Sequence, residues 1–289
     1  KSIALLADGS VVIGGLLEAW SFGGFTMKIS SSGRIDDTYG ESGIALLPFQ
    51  VHDLAVDSEQ RVVVAGRARH QLPISLAVVA RLNGATGALD PTFAEGGMVE
   101  LLEYAPDGSV LDRQGHFATV ALTADDAIIA GGLQEQAGST YAYSVAKFNA
   151  SGLDEAFAGG GWLKFMPSWA PDSMTNAITR VLLDGEGRLL LTGSYQVNGD
   201  RTYPVLGRLL ADGQADVDFG SKDSPGVSPI DADNGLVFEH LNPTGLALQT
   251  DGSIVFAAAV FDDDLAPAFV AARTDVTGTA SASLALSDS

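Results

Sequence analysis

The chain has 289 residues, and its 36 acidic residues against 16 Lys and Arg give a formal net charge of −20, which disfavours nucleic acid and anionic membranes as partners. Apolar residues make up 46% of the chain and charged residues 18%, which is enough apolar material for a buried core. The chain has no cysteine, so disulfides, thiol nucleophiles and thiolate metal sites are excluded. An upstream segment, such as a signal peptide, is expected because the sequence begins at Lys1.

Five segments share one pattern, in which an apolar run, an acidic turn and a second apolar run follow one another. The first run alternates in polarity and the second is apolar on both faces, which predicts a hairpin whose second strand is covered on both sides. Two of the turns are Asp-Gly, which is a strong hairpin signal because both residues tolerate a positive φ. The repeat length averages about 61 residues, and the turn markers are Asp8, Glu59, Asp125, Glu186 and Asp251.

Each hairpin is followed by a third strand with one cation, then a glycine, a corner with an acid and an aromatic residue, and a fourth strand. The fifth repeat lacks the corner acid and the aromatic residue. Because the cations and acids recur from repeat to repeat, we assign them to the architecture and expect each cation to pair with the acid of its own corner. The cations are Lys28, Arg81, Lys147, Arg208 and Arg273, and the corner acids are Asp36, Asp90, Asp154 and Asp216.

Four strands in each repeat predict an all-β five-bladed β-propeller, because repeated sheets bury both faces only against their neighbours and radial closure leaves few edges. An open β-solenoid is the alternative, but its coils are usually shorter. We expect one domain over 1–289, with repeats at about 1–49, 50–113, 114–173, 174–239 and 240–289. The tail from Ser283 is expected either to complete the fifth blade or to join the first blade and close the ring.

The composite order of these features resembles the bacterial delta-60 repeat, whose motif Gly-x-Leu-Asp-x-x-Phe-Gly-x-x-Gly is recognisable in four copies. Three positions depart from the motif: Ala94 and Ala158 replace a glycine, and Tyr39 replaces phenylalanine. The resemblance implies a bacterial β-propeller-type repeat protein. We expect an extracellular, periplasmic or cell-surface location.

The links that vary in length are expected on one face of the propeller, and binding residues usually lie on variable loops held by a rigid scaffold. All four histidines and two of the three tryptophans fall in these links. We therefore predict a ligand near the mouth of the central channel, where aromatic rings are suited to stacking on sugars. The candidates are Trp20, His52, His70, His116, Trp169 and His240.

The leading hypothesis is a non-catalytic, monomeric binding module for a small ligand, a glycan or a protein. The serine-hydrolase elbow and the phosphate-binding loop are absent from the sequence. A glycoside hydrolase or lyase needs only two suitably spaced carboxylates, so it stays as the alternative, with Asp53, Asp107 and Asp112 as candidate acids. A structural spacer within a longer polypeptide is a third hypothesis.

No cofactor is expected. The histidine spacing does not favour zinc, which needs three or four converging ligands. Calcium is a weak alternative at Asp262, Asp263 and Asp264, which do not match the EF-hand loop and are interpreted first as solvated loop acids.

Overall fold

This computed structural model describes residues 2–17, 23–69, 74–102, 114–136, 140–166, 176–197, 201–221, 224–229, 239–261, 267–278 and 280–287. Within these ranges the protein is all-β, and its only helical element is a short 3-10 turn at Phe157–Gly159. The strands form five consecutive antiparallel sheets and one two-stranded ribbon. Each sheet has four strands that neighbour one another in chain order, and the third sheet has one additional short strand. Each sheet corresponds to one sequence repeat.

The strands are numbered in chain order, and the sheets are called first to fifth. The first sheet contains β1 (Ser2–Leu5), β2 (Val11–Leu16), β3 (Gly24–Ile29) and β4 (Ile44–Leu47), and the second contains β5 (Phe49–Val56), β6 (Val62–Arg69), β7 (Ser75–Leu82) and β8 (Met98–Leu101). The third contains β9 (Gly115–Leu122), β10 (Ile128–Gln136) and β11 (Thr140–Asn149), with both β12 (Gly152–Leu153) and β13 (Trp162–Phe165) paired to β11.

The fourth sheet contains β14 (Asn176–Leu183), β15 (Leu189–Val197), β16 (Arg201–Leu209) and β19 (Val227–Pro229). The ribbon formed by β17 (Gly220–Ser221) and β18 (Ser224–Pro225) lies between its last two strands in sequence. The fifth sheet contains β20 (Glu239–Leu248), β21 (Ile254–Phe261), β22 (Pro267–Thr274) and β23 (Ala280–Ser287). Because β23 pairs with β22, the tail from Ser283 completes the fifth sheet.

The hairpin turns at the acidic markers are wider than two-residue turns. In the first turn the backbone N–H of Leu6 donates to the carbonyl of Ser10 (2.8 Å), so three residues lie between them. Only the residue after each acidic marker takes a positive φ, which is the geometry of a longer hairpin loop ending in a left-handed residue. The predicted hairpins are present, and each turn has one left-handed residue: Gly9, Gln60, Asp126, Gly187 and Gly252.

The first strand of each of the second, third and fourth sheets carries a β-bulge directly before its alternating apolar segment. In β5 the pairing with β6 skips one residue, because Val51 pairs with Gly66 and Asp53 pairs with Ala65. A Cβ atom at Gly66 would collide with the carbonyl oxygen of Gln50, which explains why the second run of the repeat ends in glycine. The skipped residues are His52, Ala118 and Thr179, and the glycines opposite them are Gly66, Gly132 and Gly193.

Consecutive sheets pack face to face through buried apolar side chains at each of the four junctions. Hydrogen bonds between neighbouring first strands add to this packing. The backbone N–H of Leu54 donates to the hydroxyl of Ser2 (3.3 Å), and that of Val120 donates to the carboxylate of Asp53 (3.0 Å). The same relation links Val181 to the Thr119 hydroxyl at 3.3 Å. The first residue of a repeat therefore ties its strand to the next sheet.

The four corners hold the ion pairs that the recurring cations and acids suggest. Arg81 Nε and Arg208 Nε lie 2.7 Å from the carboxylates of Asp90 and Asp216. The two lysine pairs are looser: Lys28 lies 3.4 Å from Asp36, and Lys147 lies 3.5 Å from Asp154. The fifth repeat lacks a corner acid, and Arg273 instead binds Asp251 in the hairpin turn of its own sheet.

The corner aromatic residues link each sheet to the next. Their rings are fully buried, and Tyr39 lies so close to Gly87 of the second repeat that a Cβ atom there would be 2.8 Å from the ring. Phe157 and Phe219 approach Gly213 and Gly278 in the same way. At these three junctions the glycine of the third-strand turn makes room for the aromatic ring of the preceding corner, whereas Gly152 faces Ala94 and Val99.

The outer face of the first sheet differs from its counterparts in the other sheets. Ile3 and Leu5 are 67% and 69% exposed, whereas Leu54, which occupies the position of Ile3 in the second repeat, is 6% exposed. Gly33, the counterpart of Gly87, has no heavy atom within 4 Å of a Cβ position. The described residues therefore leave one apolar face of the first sheet uncovered.

Candidate ligand-binding site

Two of the predicted histidines meet between the second and third sheets. His52 is the bulge residue of β5, and a bulge turns its side chain out of the normal alternation. Its Nδ1–H donates to the carbonyl of Phe117 (3.0 Å), and its ring meets the ring of His116 edge to face with centroids 5.2 Å apart. A carbonyl can only accept, so a neutral His52 carries its proton on Nδ1 and presents Nε2 as an acceptor.

Both histidines lie inside strands, so the prediction that they occupy links was wrong. The reason is that β5 begins at Phe49, since Phe49 and Val51 are fully buried and continue the pairing with β6. His240 also lies in a strand, β20, although its side chain is outside the described residues. The other candidates are outside the described residues: Trp20, His70, Trp169, Asp107, Asp112, Asp262, Asp263 and Asp264.

A cavity of about 180 Å³ lies beside His116, where the second and third sheets meet. It is formed where β6 and β10 end and where β7, β9 and β11 begin, which is one end of both sheets. An isolated parallel bridge between Ser75 and Gln114 joins the two sheets there. The residues that line the cavity are Arg67, Ser75, Gln114, Gly115, His116, Leu133 and Tyr141.

Polar atoms without hydrogen-bond partners converge on this junction. Arg67 Nε and Ser75 Oγ from the second sheet are buried without a partner. Both amide atoms of the fully buried Gln134, on the third sheet, also lack one. Gln134 fits only because its strand partner is Gly115, where a Cβ atom would collide with the amide oxygen. Unpaired buried polar groups are rare and costly, so such a cluster indicates a place for water or a ligand.

Tyr141 places a hydroxyl group at the edge of the cavity. Its hydroxyl donates to Gln114 Oε1 at 3.2 Å. Burial and the nearby Glu135 carboxylate raise the pKa of Tyr141, and Arg67 opposes the shift. Tyr141 is therefore protonated at neutral pH and presents a hydroxyl group. Glu135 itself has one buried carboxylate oxygen without a partner.

A larger cavity, of about 850 Å³, lies between the third and fourth sheets on the side of the corners. Its wall is mainly apolar and includes Leu163, Phe165 and Val227. None of the polar atoms without partners in the described part of the chain belongs to a residue of that wall. The smaller cavity is therefore the better candidate for specific recognition, because convergent polar groups fix the orientation of a ligand.

Asp53, a candidate acid of the enzyme hypothesis, is engaged in structure. Its Oδ1 accepts from the hydroxyl of Ser2 (2.6 Å), and its Oδ2 accepts from the backbone of Val120 (3.0 Å). These bonds tie three consecutive sheets together.

Among the described residues, no three His, Asp or Glu side chains converge as metal ligands. No helix in the same ranges is long and apolar enough to cross a membrane.

The cavity residues other than His116 were missed from the sequence, although one signal was present. Gln134 occupies a position that is apolar in each of the other four repeats, where Leu17, Ala68, Tyr195 and Val260 stand. A polar residue that interrupts an apolar column of a repeat marks a departure from the architecture. Arg67 and Ser75 gave no comparable signal.

No family model matches the chain, and no curated protein matches it. Solved structures with similar outlines include a thermostable family-43 glycoside hydrolase, at 9% identity and a TM-score of 0.46, with 97% of this chain and 91% of that chain covered. A B. megaterium levansucrase matches at 9% identity and a TM-score of 0.45, with 99% and 85% covered. A hypothetical protein from Leishmania major matches at 12% identity and a TM-score of 0.43, with 97% and 87% covered. At these TM-scores the matches carry no argument about activity.

Proposed function

We propose that this protein is a non-catalytic binding module that takes a small polar ligand, such as part of a glycan, into the cavity between the second and third sheets. The observation that supports the proposal is the set of buried polar atoms without partners, on Arg67, Ser75 and Gln134, which reach one junction from two sheets. The resemblance to delta-60 repeats extends the proposal to a bacterial protein at the cell surface, in the periplasm or secreted.

We also propose that the five sheets form a closed five-bladed propeller, in which the fifth sheet covers Ile3 and Leu5. The support is the repeat itself: Leu54 and Val181, the counterparts of Ile3, are buried against the preceding sheet. This closing junction would lack two features of the others, because the fifth repeat has no corner aromatic residue and has Gly245 where Ser2, Asp53 and Thr119 stand.

Closure is tested by L5A. In a closed ring the substitution removes a side chain whose counterparts Val56, Leu122 and Leu183 are half-buried, so we expect the free energy of unfolding to fall by about 1–2 kcal/mol in urea denaturation. V217A, at a position that is 76% exposed in a corner, is the control and is expected to change the value by less than about 0.5 kcal/mol. If L5A is as mild as V217A, the first sheet is uncovered and the ring is open.

Ligand binding is tested by thermal unfolding with a panel of neutral sugars, sugar acids, small organic acids and calcium. A ligand at a hundred times its Kd stabilises the folded state by about 2.7 kcal/mol, which is about 5 °C for a chain of this size. We expect a shift with at least one compound and none with Q134L, which replaces the unpaired amide by an apolar group. A shift that persists in Q134L would place the site elsewhere, and the absence of any shift would favour a structural spacer.

A glycoside hydrolase is the second candidate, and Glu135 is the observation that favours it. Glu135 has an unpartnered carboxylate oxygen, and its charge helps to raise the pKa of Tyr141 at the wall of the cavity. Glycosidases use two carboxyl groups, and the residues that line the cavity include no acid. We therefore expect no turnover of chromogenic glycosides. If the wild-type protein turns over a glycoside and E135Q does not, the protein is an enzyme and the binding-module proposal is wrong.

A further inference from the structure

Two donor groups without partners, on Arg67 and Ser75, line the cavity from the second sheet. Arg67 brings a guanidinium group with Nε buried and without a partner, and Ser75 brings a hydroxyl group that is also unpartnered. The backbone of Arg67 is paired within its sheet, so it is the side-chain Nε that has no acceptor. Arg67 is half-buried as a residue. A buried N–H without an acceptor is costly, and an anion that accepts from Nε and the rest of the planar guanidinium removes that cost.

We propose that the ligand group held in this cavity is a carboxylate, carried by a sugar acid or by a small free organic acid. The proposal rests on the proposed binding function and names the chemistry of its ligand. A carboxylate accepts two parallel hydrogen bonds from one guanidinium, which a neutral hydroxyl group does not. Ser75 and the amide nitrogen of Gln134 would supply the remaining donors.

The size of the cavity limits the ligand to a single unit. A volume of about 180 Å³ equals that of about six water molecules at about 30 Å³ each. One sugar ring or a short acid fits this space, whereas a longer oligosaccharide would have to continue outside it. The nearby His52 and His116 rings offer a half-buried surface on which such a continuation would lie.

Glu135 is the nearest described acid that the proposal has to accommodate. It follows Gln134 in β10, and successive side chains of a strand point to opposite faces of the sheet. Gln134 faces the junction with the second sheet, as do Ile128 and Ala130 at alternate positions of the same strand. Glu135 starts from the opposite face, but its strand partner Tyr141 lines the cavity and both Glu135 and Arg67 act on Tyr141. A bound anion therefore has to gain more from Arg67 than it loses by repulsion from Glu135.

The experiment is isothermal titration calorimetry of the full chain with matched pairs of compounds. Glucuronate and galacturonate are compared with glucose and galactose, and propionate and succinate represent free acids. We expect an acid to bind at least about tenfold more tightly than its neutral counterpart, because hydrogen bonds to charged groups are about twice as strong. If only the sugar acids bind, the ligand is a sugar that carries a carboxylate. If propionate or succinate also binds, the carboxylate alone is sufficient for recognition.

R67Q removes the charge and is expected to weaken acid binding about tenfold to a hundredfold. R34Q, which removes an exposed charge in the first corner, is the matched control and is expected to leave affinity unchanged. If R67Q does not fold, R67K is the second variant. It keeps the positive charge but lacks the planar guanidinium group that binds a carboxylate with two hydrogen bonds, so we expect it to weaken acid binding about tenfold. Neutral sugars that bind as tightly as acids would overturn the carboxylate while leaving the binding function intact. If no compound binds, both the carboxylate proposal and the proposed binding function are contradicted.

Discussion

Replacing Asp90 by alanine is expected to lower the free energy of unfolding by about 3–5 kcal/mol, because it leaves a buried arginine without its counter-ion. Asp90 Oδ2 accepts from Arg81 Nε at 2.7 Å, and Oδ1 accepts from the backbone (3.0 Å) and hydroxyl (2.7 Å) of Thr92. The guanidinium group also lies over the ring of Phe93, 5.2 Å from its centroid. The substitution would therefore disturb the corner that packs against the third sheet, and urea denaturation would measure the loss.

D154A is the matched control for the same motif in a more exposed setting. Lys147 and Asp154 are 3.5 Å apart, and their side chains are 23% and 22% exposed, so we expect a cost of about 1 kcal/mol or less. D216A, which removes the equally buried partner of Arg208, is expected to repeat the large loss. Equal and small losses for all three variants would show that the ion pairs do not stabilise the corners.

The effect of D90A also depends on pH. Burial raises the pKa of Asp90, but the hydrogen bonds from Thr92 and Arg81 outweigh it, and the pKa lies below its ordinary value of 3.8. A carboxyl group whose pKa is lowered on folding stabilises the protein above the pKa of the unfolded chain, and this contribution is lost as the pH falls through the folded pKa. The difference between wild type and D90A is therefore expected to be full at pH 7 and to shrink below about pH 4.

G66A is expected to cost about 3 kcal/mol or more, because the new methyl group would collide with rigid backbone. The carbonyl oxygen of Gln50 lies where the Cβ atom would be placed, and it belongs to the strand that forms the bulge. The bulge in turn positions His52 against Phe117. A loss of stability in chemical denaturation should therefore be accompanied by a change in the His52 side-chain signals in NMR spectra.

G185A is the control for the loss of backbone freedom. Gly185 lies in the fourth hairpin turn, and nothing is within 4 Å of its Cβ position. We expect a change of about 0.5 kcal/mol or less, since alanine fits without strain. If G66A were as mild as G185A, the close approach at the bulge would not be a constraint on the repeat.

The sequence was sufficient to predict the order of strands and the corners, because both depend on patterns within about 61 residues of one repeat. Lys28 and Asp36, for example, lie on consecutive segments of one corner and can be paired from their recurrence alone. The same pattern did not reveal the bulge at His52, since a bulge has no signature beyond the glycine opposite it. The strand register and the hydrogen bond from Val120 to Asp53 join residues of different repeats, so local patterns do not fix them.

The candidate site was only partly predictable for the same reason. His52 and His116 were nominated by residue type, and the folding of two sheets brings their rings together. Arg67 and Gln134 come from second strands of different repeats, 67 positions apart, and only the packing of one sheet on the next places them at one junction. In this chain, a residue that departs from the repeat, such as Gln134, is therefore a better guide to the candidate site than the residues that recur in every repeat.

The stability of Q134L with and without ligand tests the central claim most directly. An unpaired buried amide costs about 1–3 kcal/mol, so the free variant is expected to be more stable than wild type by about 1–2 kcal/mol. It is also expected to gain nothing from the acid that stabilises wild type. A ligand-free Q134L that is less stable than wild type, or one that gains as much from the acid, would contradict the claim that this junction is kept polar for a ligand.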